Sequence, residues 1–107
     1  WGSGTGEASS PLKSLILTAD KAKGHGASNR GKFSAPDVDK LVNQALASVD
    51  DKQREKLLQE ATELALGKYQ AIIPLHYQVN TWATKPGLKY RARTDERTIV
   101  MDVLKEK

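Results

Sequence analysis

The sequence contains no cysteine in 107 residues, so disulfides, thiolate metal ligands and cysteine nucleophiles are all excluded. Aromatic residues are scarce, at 6% of the chain. No apolar run approaches the roughly 20 residues that a membrane-spanning helix requires, so we expect a chain that does not itself span a membrane. Charge of one sign is not concentrated either. The most basic stretch, 85–97, is interrupted by Asp95 and Glu96, which favours ordinary solvated charge over a nucleic-acid surface.

The remaining composition is that of a small folded protein. Hydrophobic residues make up 38% and charged residues 28%, and 17 basic against 13 acidic side chains give a net charge of +4. A chain of this length predicts one domain with a modest core.

Apolar residues at helical spacing predict three helices, over about 10–19, 35–49 and 51–66. Ser34 with Asp37 resembles a capping box for the second helix, and Asp50 with Gln53 gives a similar signal for the third. Gly67 is placed to end the third helix. Because the turn between the second and third helices is so short, we expect a helical hairpin.

Two later segments favour strand. Over 72–83, IIPLHYQVNTWA alternates between two faces and is rich in β-branched and aromatic residues, with Pro74 limiting the start. A shorter strand is predicted over 98–104, and the residues between the two strands are expected to form a loop. Two strands do not make a stable sheet alone, so their apolar faces need more partner surface than the chain supplies.

No catalytic constellation emerges from the candidate residues. The opening GSGTG fits neither the Walker nor the Rossmann glycine pattern. His25 lies in a glycine-rich loop, and His76 has no second histidine or carboxylate nearby, so no metal site or cofactor is expected. Trp82 shares a predicted strand face with Gln78 and Asn80. This face indicates an aromatic that packs within the fold, or alternatively one wall of a ligand cleft.

Four motifs in order resemble the C-terminal region of family 5 extracellular solute-binding proteins, the peptide- and nickel-type receptors of bacterial ABC importers. The opening WGSGTGEASSPLKSL is the first motif. The matching residues of the other three are Asn29, Phe33, Ser34, Pro36, Val38, Asp39, Leu41 and Ala45; then Asp51, Arg54, Leu57 and Ala61; then Ile73, Pro74 and Leu75. The resemblance covers nearly the whole chain but only the closing portion of a family member.

The resemblance implies an α/β fold: the C-terminal portion of a two-lobed, type II-like periplasmic binding protein, with three helices and two or more strands in this fragment. It implies a non-enzymatic receptor that closes its lobes on a small solute such as an oligopeptide. The receptor then delivers the solute to a permease in the inner membrane. It also implies a periplasmic or lipoprotein-anchored location. The opening segment would line the cleft, so the expected ligand-binding residues are Trp1, Ser3, Gly4, Thr5 and Trp82.

One position departs from the family pattern. Peptide-binding relatives often carry a "W-ADY" stretch whose aspartate pairs with the peptide amino group, and Gly4 stands at that place here. No carboxylate follows until Glu7. We expect the chain to be an interior piece cut at Trp1 that binds little solute alone. A small basic nucleic-acid-binding domain that uses 85–97 is the alternative, and an enzyme ranks last.

Overall fold

A computed structural model describes residues 1–3 and 5–106; Gly4 and Lys107 lie outside the described residues. The chain divides into two compact units, Trp1–Pro74 and Leu75–Lys107, where the sequence predicts one continuous unit over 1–107. The regular structure of the described residues consists of three helices and one two-stranded sheet. All three helices lie in the first unit, and the sheet lies in the second.

The first unit is helical. Helix α1 begins as Ser9–Pro11 and continues as a π-helical turn, Leu12–Ile16; α2 spans Pro36–Ala47. Helix α3 spans Asp51–Thr62 and is extended by a second π-helical turn, Glu63–Lys68. These helices lie where the sequence predicts helices over 10–19, 35–49 and 51–66.

Helices α2 and α3 pack together as a hairpin, and their apolar stripes form most of the core. The largest fully buried side chains of the core, Ile16, Leu17, Val38 and Val42, come from α1, the residue after it, and α2. Alanines at 45, 61 and 65 are also buried and let the helices approach closely. Burying each of the larger side chains contributes about 1.5–3 kcal/mol.

The helix-terminus signals in the sequence are partly overridden by tertiary contacts. Asp50 caps α3 as predicted, since its carboxylate accepts a hydrogen bond from the Gln53 amide at 2.7 Å. The Ser34 prediction is wrong: Ala35 is the N-cap, and the Ser34 hydroxyl bonds to Thr18 at 2.9 Å instead. Gly67 does not end α3 either, because the helical turn runs on through Lys68.

The loop between α1 and α2 folds back onto the end of α1. The Gly26 amide donates to the Lys13 carbonyl and the Ser28 amide donates to the Ser14 carbonyl, both at 2.9 Å. Gly26 has a φ of 61°, and a Cβ atom there would lie 2.5 Å from the Leu17 carbonyl oxygen. Only glycine suits this conformation at so close an approach.

Two polar side chains fix the path of the chain into α2. The buried Asn29 amide donates to the Leu17 and Phe33 carbonyls at 3.0 and 2.7 Å, and its oxygen accepts from the Phe33 amide at 3.0 Å. Asp39, in the first turn of α2, accepts from the Thr18 amide at 3.0 Å. These bonds satisfy backbone groups that would otherwise be left unpaired between α1 and α2.

The second unit is built on a short antiparallel sheet. Strand β1, Leu88–Tyr90, pairs with β2, Val103–Lys105, in a register that sets Leu88 opposite Lys105. A 3₁₀ turn, Val100–Asp102, leads into β2. Strand β1 therefore lies in a segment predicted as loop, and β2 lies at the end of the segment predicted as strand over 98–104.

The strand predicted over 72–83 is not formed in the described part of the chain. Its alternating pattern is present, but no backbone hydrogen bond joins these residues to other described residues. A strand exists only when its amides and carbonyls find a paired ladder. The predicted apolar face is consequently left exposed, with Tyr77 fully accessible.

Candidate functional site

The opening segment, which carries most of the predicted ligand-binding residues, forms a compact turn in the first unit. The Ser3 hydroxyl donates to the Glu7 carbonyl at 3.0 Å, and the Gly6 amide donates to the Ser3 carbonyl at 3.3 Å. The Ser3 and Thr5 hydroxyls are also within 3.3 Å of each other. Trp1 is 69% exposed, and the predicted ligand contact at Gly4 lies outside the described residues. The described hydroxyls are thus engaged mainly with their own segment.

An ion pair ties this segment to the helical hairpin. The Arg54 guanidinium donates to both carboxylate oxygens of Glu7, with 3.0 Å between Nη2 and Oε2. It also donates to the Ala45 carbonyl near the end of α2 at 3.0 Å. The Ser9 hydroxyl donates to the same Glu7 carboxylate at 2.6 Å. One arginine therefore holds the opening segment, α2 and α3 together.

These bonds also fix the charge state of Glu7. The Arg54 hydrogen bonds first, and the Ser9 hydroxyl second, hold the pKa of the Glu7 carboxyl at about 2, compared with an ordinary value of 4.5. Each bond favours the ionised form. Glu7 is the first carboxylate in the sequence. Its oxygens are already committed to Arg54 and Ser9.

A groove of about 630 Å³ runs between residues 6–8 and one face of α3. The buried side chain of Leu58 contributes to its apolar floor, and Asp51, Glu55 and Glu63 contribute carboxylates to its lining. This volume is within the range of small-ligand clefts, and such a lining is chemically suited to a cationic, partly apolar group. Sequence spacing did not single out this groove, because its two walls lie more than 40 residues apart in the chain.

Trp82, the remaining predicted ligand contact, lies in the second unit. Its ring packs on Tyr90 with 5.4 Å between ring centroids, and its indole N–H donates to the Thr98 hydroxyl at 3.1 Å. The Gln78 amide donates to Asn80 at 3.0 Å, so the two predicted polar neighbours of Trp82 bond to each other. The predicted ligand-binding residues therefore fall in two separate units, and their shared role remains a prediction.

The basic stretch of the second unit is partly neutralised. Arg93 donates to both carboxylate oxygens of Asp95, at 2.8 and 2.6 Å, and to Asp102 at 3.4 Å. The Arg93 hydrogen bonds are the main cause of the low pKa of Asp95, about 2 against an ordinary 3.8. An arginine held by two carboxylates is less available to a phosphate backbone.

Two further classes of site have no representative in the described residues. No group of three or more histidine, aspartate and glutamate side chains is placed to hold a metal ion over 1–3 and 5–106. Within the same residues, every helix is too short or too polar to cross a bilayer.

Comparison with known proteins gives one informative similarity. The chain is 38% identical over 60 residues to the periplasmic oligopeptide-binding protein OppA of Salmonella typhimurium. Those residues make up 56% of this chain but only 11% of OppA. No known family profile matches the chain, and no solved structure matches it. The chain is thus similar, over a short region, to an oligopeptide-binding protein.

Proposed function

We propose that this chain is part of a non-enzymatic solute-binding receptor of an ABC importer, and that the receptor captures a peptide or a related small solute. The observation that carries the proposal is the 38% identity with OppA over 60 residues. In this proposal the receptor works outside the inner membrane, closes its lobes on the solute and passes it to a permease.

The contacts of the motif residues support the proposal at the level of the fold. Three polar residues of the family motifs are Asn29, Asp39 and Arg54. Asn29 holds the chain before α2, Asp39 binds the Thr18 amide, and Arg54 binds Glu7. All three side chains make stabilising contacts within the first unit. We call these contacts of Asn29, Asp39 and Arg54 the polar frame. Proteins with a common fold share structural contacts of this kind, and such contacts leave the identity of the solute open.

The Glu7 carboxylate of the opening segment is the feature that decides whether this segment could bind the amino group of a peptide. Glu7 is bound to Arg54 and Ser9, so its carboxylate is not free to pair with a peptide amino group. Three other carboxylates beside this segment, those of Asp51, Glu55 and Glu63, line the groove but are exposed to solvent, so this chain alone does not enclose an amino group there. We infer that the amino group of a peptide, if that is the solute, is recognised by parts of the receptor that this chain does not supply. The isolated chain is then not competent to bind.

A chimera tests the proposed function. The matched 60-residue stretch of Salmonella OppA is replaced by the corresponding stretch of this chain, and oligopeptide binding is measured by calorimetry. We expect a folded protein that still binds peptide, because the transplanted residues stabilise the fold and do not themselves recognise the solute. In the 107-residue chain itself, Arg54→Leu should lower the free energy of unfolding, since Glu7 loses its partner.

Two results would contradict the proposal. One is a chimera that melts cooperatively but binds no peptide, and the other is a chimera that does not fold. The alternative of a nucleic-acid-binding domain predicts binding of DNA or RNA by this chain that weakens steeply with salt. The pairing of Arg93 with two aspartates argues against it.

A further inference from the structure

The opening segment is joined to helix α3 by the hydrogen bonds of Glu7. Among the described residues, the hydroxyls of Ser3 and Thr5 and the amide of Gly6 bond to atoms of the segment itself. The Glu7 carboxylate reaches further, because both of its oxygens accept from the Arg54 guanidinium. Arg54 belongs to α3 and also donates to a carbonyl of α2 at 3.0 Å. This one side chain therefore fixes the segment to both helices of the hairpin.

The backbone of the segment is poorly constrained without that link. Three of its first six residues, at positions 2, 4 and 6, are glycine. Glycine loses more conformational freedom on ordering than any other residue. At Gly6, which has a φ of 71°, no atom of the described chain lies within 4 Å of an added Cβ, so side-chain packing does not hold the turn there. A planar guanidinium bound to both carboxylate oxygens supplies the directional hold that the backbone lacks.

We propose that Arg54 is a positioning residue, which holds the opening segment in one conformation against α3 and so pre-organises Trp1, Ser3 and Thr5 for contact with a solute. The proposal rests on the receptor function proposed above, since only in such a receptor would these residues meet a solute. A site that is ordered for a fraction of the time binds with an affinity reduced by that fraction. A segment ordered for about a tenth of the time would raise the dissociation constant about tenfold.

NMR relaxation of the 107-residue chain tests the ordering. In Arg54→Leu we expect the order parameters of the Ser3 and Gly6 amides to fall from about 0.85 to below about 0.6. Asn29→Ala is the matched control, because it also removes hydrogen bonds of the polar frame but its partners lie outside the opening segment. The control should lose stability and keep the wild-type order parameters of the segment. Far-UV circular dichroism confirms that the helices of both variants are formed.

A conservative variant separates charge from geometry. Arg54→Lys keeps the positive charge, but a single ammonium does not reproduce the paired contacts of the guanidinium with the Glu7 carboxylate. We expect order parameters between those of wild type and Arg54→Leu. Wild-type order parameters in Arg54→Leu would overturn the proposal, and so would an equal loss of order in Asn29→Ala, which would show general destabilisation instead of positioning.

A chimera tests the consequence for binding. This whole chain replaces the C-terminal region of Salmonella OppA that it resembles, and oligopeptide binding is measured by calorimetry. We expect Arg54→Leu to raise the dissociation constant about tenfold and Asn29→Ala to change it less than about twofold. Equal affinity in the wild-type and Arg54→Leu chimeras would overturn the proposal. A wild-type chimera that folds but binds no peptide would contradict the receptor function instead, and the order parameters would still decide whether Arg54 positions the segment.

Discussion

Replacing Gly26 by alanine tests whether the loop after α1 is held by close backbone packing. Gly26 adopts a φ of 61°, and an added Cβ would meet the Leu17 carbonyl oxygen at 2.5 Å and the Ala19 Cα at 2.8 Å. Both are backbone atoms, so neither can move aside as a flexible side chain would. The left-handed conformation costs an L-residue about 1–2 kcal/mol, and the overlap adds about 1–3 kcal/mol. We therefore expect Gly26→Ala to lower the free energy of unfolding by about 2–5 kcal/mol.

Gly24 offers a matched control in the same loop. Its φ is 64°, but nothing lies within 4 Å of a Cβ built on it. Gly24→Ala should therefore show only the conformational cost of about 1–2 kcal/mol. Urea denaturation followed by circular dichroism measures both variants. Equal losses of unfolding free energy would refute the close approach of the loop to Leu17 and Ala19.

Three further substitutions test individual polar contacts of the first unit. Asn29→Ala removes the side-chain donor to the buried Leu17 carbonyl and to the partly buried Phe33 carbonyl. It should lower the free energy of unfolding, measured by urea denaturation, by about 1–3 kcal/mol, and an unchanged value would contradict the network. The pKa of Glu7 falls from 4.5 to about 2 on folding, so its stabilisation is full above pH 4.5 and is lost as pH falls toward 2. Glu7→Gln should weaken that acid-induced loss, and an identical pH profile in both proteins would count against the ion pair. The Tyr69 hydroxyl donates to Asp37 at 2.6 Å and is the largest cause of the lowered pKa of Asp37. In Tyr69→Phe, NMR titration should show that pKa rising toward 3.8, and no movement would exclude the contact.

The helical hairpin is the part of the fold that the sequence pattern predicts well. Its signals are local: apolar stripes at helical spacing define α2 and α3, and Asp50 lies three residues from the amide that it caps. Helix ends are predicted less well when a distant residue competes for the same atom. The Ser34 hydroxyl bonds to Thr18, 16 positions earlier, and no local capping rule anticipates that partner.

The strand predicted over 72–83 shows a different limit. Alternation in a sequence describes which faces a strand would have, but pairing requires a second segment at the right place. Within the described residues β1 pairs with β2, and 75–82 has no backbone partner. The sequence alone therefore predicts the chemical character of this segment and not its pairing.

The candidate site is the least predictable feature. Trp1, Ser3, Gly4, Thr5 and Trp82 follow from a family resemblance, and their role in ligand binding stays a prediction. The bond between Glu7 and Arg54 joins residues 47 positions apart. Arg54 is a motif residue, but neither spacing nor composition indicates which carboxylate it binds.

Titration of the 107-residue chain with a mixture of short peptides, followed by NMR, tests the central claim most directly. Our account holds that the motif residues stabilise the fold and that solute recognition needs other parts of a receptor. Peptides at micromolar concentration should therefore leave the amide and indole resonances of this chain unchanged. Tight and specific shifts at the Trp1 and Trp82 indoles would contradict the account, because they would show that this chain alone forms a working solute site.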